Sequence, residues 1–174
     1  MGFFFVSFDP LRGLRVAVVS VSIVLTAGCG TPSPLANTCE SPEAVARAVL
    51  EAIQARDRAR LDGLALSRQE FKDHVWPSLP AARPERNLPF SYVWGDLQQK
   101  SELSLSSMLH AHGGHRYDLV GVSFEDVTPY AGYRVHRKAT FRVRNAAGTD
   151  AEVRVIGSMI EKDGGWKVFS YVVN

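Results

Sequence analysis

Hydrophobic and polar residues alternate near the end of the chain, over positions 132–145, with one exception at position 137. The apolar positions are Tyr133, Val135, Ala139, Phe141 and Val143, separated by Arg134, His136, Lys138, Thr140, Arg142 and Arg144. A period of two is typical of a β-strand that buries one face and exposes the other. The sequence therefore predicts a long strand over residues 132–145, preceded by another over residues 117–125.

A turn follows the long strand at Ala146-Ala147-Gly148, where the glycine can supply a positive φ. A three-residue turn at this point folds residues 150–161 back as the next strand. The register then pairs apolar with apolar and charge with counter-charge. The expected pairs are Phe141 with Val153, Val143 with Ala151, and Arg142 with Glu152.

The first half of the chain instead shows apolar residues at intervals of three and four, which is the period of a helix. Ser41 is suited to cap a first helix that starts at Pro42. Further helices are expected over residues 57–66, from a capping box at 67–70 through Val75, and from Phe90 to a Gly113-Gly114 cap. Pro77 and Pro80 end the third helix, and the segment to residue 89 is interpreted as a surface loop.

This order of elements predicts an α+β fold, with N-terminal helices packed on a curved antiparallel sheet of about four strands. Residues 41–174 resemble the nuclear transport factor 2-like superfamily, an α+β cone, in this order and in the closing Asp163-Gly164-Gly165-Trp166-Lys167-Val168. The turn at 163–165 leads into a last strand over residues 166–173, and two- and three-residue turns would give it opposite facings. The resemblance implies a pocket between the sheet and the helices. Members include dehydratases, isomerases, polyketide cyclases and non-catalytic modules, so this fold does not determine function.

The N-terminus has the features of an exported chain. Arg12 and Arg15 precede twelve uncharged residues, which as a helix would span about 18 Å and are too short to cross a bilayer. The run Leu25-Thr26-Ala27-Gly28-Cys29 resembles the lipobox of bacterial lipoproteins, which implies that Cys29 becomes a lipidated N-terminus. We therefore expect a signal peptide over residues 1–28, a lipidated tether over 29–40 that holds the domain off the membrane, and one domain over 41–174.

Charge and cysteine content narrow the possible partners. Removal of the signal peptide takes away Arg12, Arg15 and Asp9, which leaves 18 basic and 17 acidic side chains. This balance argues against a nucleic-acid-binding surface. Acylation of Cys29 would leave Cys39 without a disulfide partner, as a small buried residue or a free thiol. The expected location is the cell envelope, with a lipid anchor on the outer side of the cytoplasmic membrane or in the outer membrane on its periplasmic face.

Two groups of cationic residues are candidate sites. His110, His112 and His115 surround the Gly-Gly turn, but residues two apart on a helix diverge, so no metal site is predicted. No cofactor-binding motif is present either. The alternating strand carries a basic row of Arg134, His136, Lys138, Arg142 and Arg144, for which Glu152, Asp150 and Glu161 are expected partners across the strands.

Arg137 breaks the alternation, because strict period two places it on the packed face, where an unpaired charge is costly. Either a bulge near His136 reverses the facing, or Arg137 projects into the mouth of the pocket and binds an anionic ligand. Asp57 and Asp118 are its expected partners. Tyr133 and His136 complete the candidate ligand-binding residues, with no catalytic residue assigned.

These observations favour a membrane-anchored envelope lipoprotein whose domain binds a small ligand or an envelope protein without catalysis. The alternative is a small cone-fold lyase or isomerase.

Overall fold

A computed structural model describes residues 33–173 of the chain. The predicted signal peptide (residues 1–28) and the lipobox cysteine, Cys29, lie outside these residues. Within residues 33–173, no helix combines the length and the hydropathy needed to cross a membrane.

The helices occupy the N-terminal half of the described chain. They are α1 (Pro42–Ala55), α2 (Arg58–Leu64), α3 (Arg68–Glu70) and α4 (Phe90–His112). A π-turn continues α3 over Phe71–Val75, and three 3₁₀ turns occupy Trp76–Ser78, Pro80–Ala82 and Pro84–Arg86. The predicted helices are thus confirmed, and the predicted loop is a series of 3₁₀ turns that begin at or beside prolines.

Within residues 33–173, seven strands follow the helices and form two antiparallel sheets. The strands are β1 (Tyr117–Ser123), β2 (Asp126–Tyr130), β3 (Tyr133–Arg137), β4 (Thr140–Asn145), β5 (Asp150–Val153), β6 (Ser158–Lys162) and β7 (Gly165–Ser170). One sheet has the order β1-β4-β5 and the other the order β2-β3-β6-β7. The fold class is α+β as predicted, whereas the expected single sheet of about four strands is replaced by two sheets.

The helix starts follow from local capping. The Ser41 hydroxyl accepts a hydrogen bond from the backbone N–H of Ala44 at 3.1 Å, and Pro42 occupies the first helical position. At α3, Ser67 and Glu70 form the predicted capping box, in which each side chain accepts from the other residue's backbone N–H. These bonds satisfy donors that no helical carbonyl can reach.

The predicted long strand over residues 132–145 is wrong in one respect, because it is broken at Lys138. This residue has a φ of 54°, and the chain there passes from the four-stranded sheet (β3) to the three-stranded sheet (β4). The predicted strand over 150–161 is likewise divided into β5 and β6, which belong to different sheets. Apolar alternation continues on both sides of the break at Lys138, so the pattern alone does not reveal it.

The places where the chain changes sheet lie beside one another. The Glu125 N–H, between β1 and β2, donates to the Arg137 carbonyl at 3.2 Å. The Lys138 N–H donates to the Gly157 carbonyl, between β5 and β6, at 2.8 Å. Gly157 fits only as glycine, because an added Cβ would lie 1.8 Å from the Val172 carbonyl oxygen. The backbone is therefore hydrogen-bonded across the line where the sheets meet.

The predicted hairpin register is confirmed: β4 and β5 pair Phe141 with Val153, Arg142 with Glu152 and Val143 with Ala151. Gly148 has a φ of 78°, as the three-residue turn requires. The β6–β7 hairpin instead has a two-residue turn, Asp163-Gly164, with φ values of 51° and 79°. This pair of positive φ values suits a type I′ turn and decides the facing that the sequence left open.

Two hydrophobic clusters hold these elements together. The larger is built from α1, α4, β4 and the start of β6, and contains Val49, Ile53, Phe141, Ile156 and Met159. The smaller lies between the α3 region, the start of α4 and the four-stranded sheet, with Leu66, Phe71, Val75, Tyr133, Val135 and Ile160 buried. The four-stranded sheet therefore packs on both faces, since Met159 and Ile160 enter different clusters.

Part of the expected tether lies against the domain. Leu35 packs on the smaller cluster, the Ala36 N–H donates to Glu70 Oε1 at 2.7 Å, and His74 Nε2 lies 2.7 Å from the Ser33 carbonyl oxygen. Cys39 exchanges two backbone hydrogen bonds of 2.8 Å with Trp166. Residues 33–39 therefore do not act as a free spacer, because the domain supplies partners for their backbone groups.

Candidate functional site

A cleft of about 550 Å³ opens between α4 and the line where the two sheets meet. Its apolar lining comes from Val93 and Leu97 of α4, Ile156 between β5 and β6, Phe169 of β7, and Val172 after it. Its charged lining consists of Asp96, Lys100, Arg137, Lys138 and Arg154. The cleft therefore combines an apolar interior with a predominantly cationic set of side chains.

Carboxylates of neighbouring segments hold the three arginine and lysine side chains on the sheet side. Arg137 Nη1 lies 3.5 Å from Asp126 Oδ2, Lys138 Nζ 2.7 Å from Glu125 Oε2, and Arg154 Nη2 2.6 Å from Glu125 Oε1. Glu125 thus joins the side chains of two other segments where the chain changes sheet. The hydrogen bond from Lys138 is the main reason that the pKa of Glu125 lies below its ordinary value.

These ion pairs leave the cations accessible. The side chains of Arg137, Lys138 and Arg154 are 56%, 52% and 45% exposed. Ion pairs at such exposure contribute little free energy, so an incoming anion can replace or join the carboxylates at small cost. Arg137 is the most loosely held of the three and presents a planar guanidinium suited to carboxylate or phosphate.

The structure resolves the break in alternation at Arg137. No bulge occurs near His136: β3 pairs with β2 and β6 without a shift, so Arg137 keeps the facing of Val135 and lines the cleft at the end of the strand. The irregular residue is Lys138, which adopts a left-handed conformation. The carboxylate beside Arg137 is Asp126; the expected partners, Asp57 and Asp118, lie elsewhere. Asp57 caps α2, where its side chain accepts a hydrogen bond from the Arg60 N–H, and Asp118 of β1 forms an ion pair with Arg116.

Tyr133 and His136 do not join this site. Their side chains lie on opposite faces of β3, because they are an odd number of residues apart. The Tyr133 hydroxyl lies 2.7 Å from Ser78 Oγ, the ring stacks on Tyr130, and burial raises the pKa of Tyr133. Tyr133 is therefore a packed residue behind the cleft rather than part of its charged rim.

His136 forms a separate polar group on the other face of the sheet. Its Nε2 lies 2.8 Å from Glu161 Oε2, and its ring contacts Trp166 with centroids 4.5 Å apart. Arg134 donates to the other oxygen of Glu161 at 2.6 Å. Burial raises the pKa of Glu161, but the hydrogen bonds from His136 and Arg134 outweigh it, so the net shift is downward.

The histidines near the Gly-Gly turn contact a tyrosine. His112 Nδ1 and His115 Nδ1 lie 3.0 Å and 3.3 Å from the Tyr117 hydroxyl. Burial, followed by the neighbouring His115, lowers the pKa of His112. Within residues 33–173, no group of three or more His, Cys, Asp or Glu side chains is arranged to hold a metal ion.

The basic row finds most of its expected partners. Arg144 Nε lies 2.7 Å from Asp150 Oδ1, and Arg134 and His136 share Glu161. Lys138 pairs with Glu125 instead, because the break places it at the line between the sheets. The row is therefore divided between the two sheets, and within residues 33–173 Arg142 lies opposite Glu152 without an ion pair.

Sequence reasoning did not single out Arg154 or Glu125. Arg154 lies at an outward position of a predicted strand, and Glu125 at the end of another, so neither breaks a pattern.

A second cleft, of about 420 Å³, lies on the other side of α4 and shares Leu97 and Phe169 with the first. Only the packing of α4 over the sheet creates either cleft.

Cys39 is free and half-buried, and it packs against the larger cluster. Burial, and secondarily the neighbouring Glu40, raises the pKa of its thiol. A raised pKa disfavours the nucleophilic thiolate.

A comparison with models of protein families, with curated proteins and with solved structures found no match for this chain.

Proposed function

We propose that this chain is a membrane-anchored envelope lipoprotein whose domain, of the nuclear transport factor 2-like type, binds a small anionic ligand without converting it. The observation that carries the proposal is the cleft, in which three accessible cations border an apolar interior. The anchor rests on the lipobox residues Leu25 to Cys29, and the cone on the order of helices and strands.

The charges of the cleft indicate the ligand chemistry. Four cations, Lys100, Arg137, Lys138 and Arg154, face three carboxylates, Asp96, Glu125 and Asp126. A ligand with one carboxylate or phosphate balances this excess, and an apolar body replaces water on the Val93, Leu97 and Phe169 surfaces. We therefore expect an anionic amphiphile of moderate size to bind better than a fully polar anion.

The binding test measures thermal unfolding of the purified lipoprotein in a panel of carboxylates and phosphates with and without apolar groups. Ligands that bind the folded state raise Tm in proportion to their concentration and affinity. Arg137→Ala should abolish this shift and leave the Tm without ligand within a few degrees, since the residue is exposed. Arg116→Ala, which removes an exposed cation just before β1, is the matched control and should keep the shift.

Two outcomes would contradict ligand binding in the cleft. One is a ligand-induced shift that survives Arg137→Ala, and the other is a complete absence of shift across anionic amphiphiles. Catalytic turnover of a bound ligand would instead support the alternative lyase or isomerase. In that case Asp96, whose carboxylate lies in the cleft 2.8 Å from Lys100 Nζ, is the first general base to test.

Anchoring is tested independently by metabolic labelling with a palmitate analogue. We expect label on the wild-type protein and none on Cys29→Ser, because the thioether forms on this sulfur. The variant Cys39→Ser serves as the matched control and should be labelled fully. Equal labelling of wild type and Cys29→Ser would overturn the lipoprotein proposal and leave the cleft proposal intact.

A further inference from the structure

The surface around the start of α4 is rich in cations without carboxylate partners. Arg68, Lys72, Arg83 and Arg86 are exposed, and within residues 33–173 none of them forms an ion pair. Two exposed apolar residues, Leu88 and Tyr92, lie beside them along the chain, with exposures of 41% and 67%. We call these six residues the basic face.

Contacts of the Phe90 ring connect Arg68 with the start of α4. Phe90 is the first residue of α4, and the guanidinium of Arg68 lies 5.3 Å from the centroid of its ring. The same ring is 5.6 Å from Trp76 and 6.2 Å from Phe71. Arg68 and Lys72 lie four residues apart on the continuous helical segment of α3 and the π-turn, and Arg83, Arg86, Leu88 and Tyr92 lie within seven residues of Phe90 along the chain.

Two carboxylates, Asp73 and Glu85, lie among the same segments. Asp73 accepts a hydrogen bond from Gln69 Nε2 at 2.7 Å. Glu70 forms hydrogen bonds with the buried Lys167, and because their charges cancel, Glu70 and Lys167 do not change the charge of the surface. The surface retains a net positive charge, since four unpaired cations outnumber Asp73 and Glu85.

The described chain begins beside the π-turn that carries Lys72. The Ser33 carbonyl oxygen lies 2.7 Å from His74 Nε2, in the same π-turn as Lys72, and Leu35 packs on the cluster that Phe90 also contacts. Only four peptide units separate Cys29 from Ser33, and they extend at most about 14 Å. A lipid on Cys29 therefore keeps Ser33 within about 14 Å of the bilayer interface, less than two Debye lengths at physiological salt.

We propose that the basic face rests on the membrane and binds anionic phospholipid headgroups, with Leu88 and Tyr92 entering the interfacial region. This inference depends on the proposed lipid anchor at Cys29. Anionic headgroups give a membrane surface a negative potential, which attracts the cations of the basic face. Tyrosine and leucine are suited to the boundary between headgroups and acyl chains. The domain then has a fixed orientation on the membrane rather than a free one.

Amide hydrogen exchange of the mature lipoprotein in vesicles tests this orientation. One set of vesicles contains equal parts phosphatidylglycerol and phosphatidylcholine, and the other contains phosphatidylcholine alone. We expect exchange over residues 83–92 to be slower in the anionic vesicles by about fivefold or more, the factor for one cation at such a surface. High salt should remove the difference, because it screens the surface potential.

The double variant Arg83→Glu/Arg86→Glu should lose this protection. The matched control is Arg47→Glu/Arg142→Glu, which makes the same change of net charge at exposed residues on α1 and β4, away from the basic face. The control should keep the protection. A second variant, Tyr92→Ser, leaves the charges in place and should reduce the protection in part.

Mass spectrometry first verifies that Cys29 is acylated. Equal hydrogen exchange in the two kinds of vesicle would then overturn the inference and leave the proposed function standing. Loss of protection in the control variant as well as in the test variant would also overturn it, because net charge rather than this face would then be responsible. Absence of acylation at Cys29 would overturn both the anchor and the orientation. The inference is supported if amide exchange over residues 83–92 slows only in anionic vesicles and only when the basic face is unchanged.

Discussion

Lys167 of β7 forms a buried ion pair with Glu70 of α3, 97 residues away in the chain, with Nζ 3.0 Å from each carboxylate oxygen. The side chains are 3% and 10% exposed. Glu70 also accepts hydrogen bonds from the Ala36 and Ser67 backbone N–H groups, both at 2.7 Å. One carboxylate thus ties the entering chain, the start of α3 and the last strand together.

Replacement of Lys167 by methionine should destabilise the protein strongly, because it leaves the Glu70 carboxylate buried without its cation. Loss of one partner of such a pair costs about 3–5 kcal/mol in the free energy of unfolding. Urea denaturation measures the change. The control is Lys72→Met, which replaces an exposed lysine in the π-turn and should have little effect on stability. The double variant Glu70→Gln/Lys167→Met should recover part of the loss; a double variant as unstable as Lys167→Met would contradict this account.

Acid should weaken the protein through the same pair. Burial raises the pKa of Glu70, but hydrogen bonds from Ser67, Lys167 and Ala36 outweigh it, so the pKa lies below the ordinary value of 4.5. A carboxyl with a lowered pKa contributes stability that is present above its unfolded pKa and lost as pH falls through its folded pKa. Unfolding free energies measured from pH 7 down to below pH 4.5 should fall less steeply for Glu70→Gln than for the wild type. Parallel curves for the two proteins would show that Glu70 does not contribute.

Two glycines with opposite surroundings test the packing at the line between the sheets. Gly157→Ala places a methyl group 1.8 Å from the Val172 carbonyl oxygen, so we expect a loss of about 3 kcal/mol in unfolding free energy. Gly95→Ala in α4 is the control, since its added Cβ meets no described atom within 4 Å, and it should gain up to about 1 kcal/mol. Thermal denaturation distinguishes them, and a neutral Gly157→Ala would refute the close approach of the C-terminal segment.

Truncation of Phe141 tests the confirmed hairpin register. Phe141 is fully buried opposite Val153, so Phe141→Ala should cost about 3–5 kcal/mol, comparable to the whole stability of a small domain. Leu103→Ala provides the control, because Leu103 is exposed on α4. Guanidinium denaturation of both variants measures the difference. If Phe141→Ala lowers the free energy of unfolding no more than Leu103→Ala does, the register is wrong.

Local signals in the sequence were sufficient for the helix starts and the β4–β5 hairpin. The Ser41 and Ser67 caps, the Gly148 turn and the pairing of Phe141 with Val153 each depend on residues close together in the chain. Hydrophobic period and capping chemistry act over such distances, so their result can be read before the fold is known. The break at Lys138 could not be read in this way, because apolar residues keep the same parity on both sides of it.

The sequence by itself determined the α+β class, the order of the helices and the β4–β5 hairpin, because burial of apolar side chains and local capping act at every position. It did not predict β2, whose residues Asp126–Tyr130 were expected to lie between two strands. The tertiary structure alone decided that two sheets form instead of one, that Arg137 lies beside Asp126, and that Glu125 joins Lys138 and Arg154. These contacts link segments of the chain whose relative position depends on how the strands bend and on where α4 packs. No local preference specifies that arrangement, so the cleft and its charges emerge only in the folded protein.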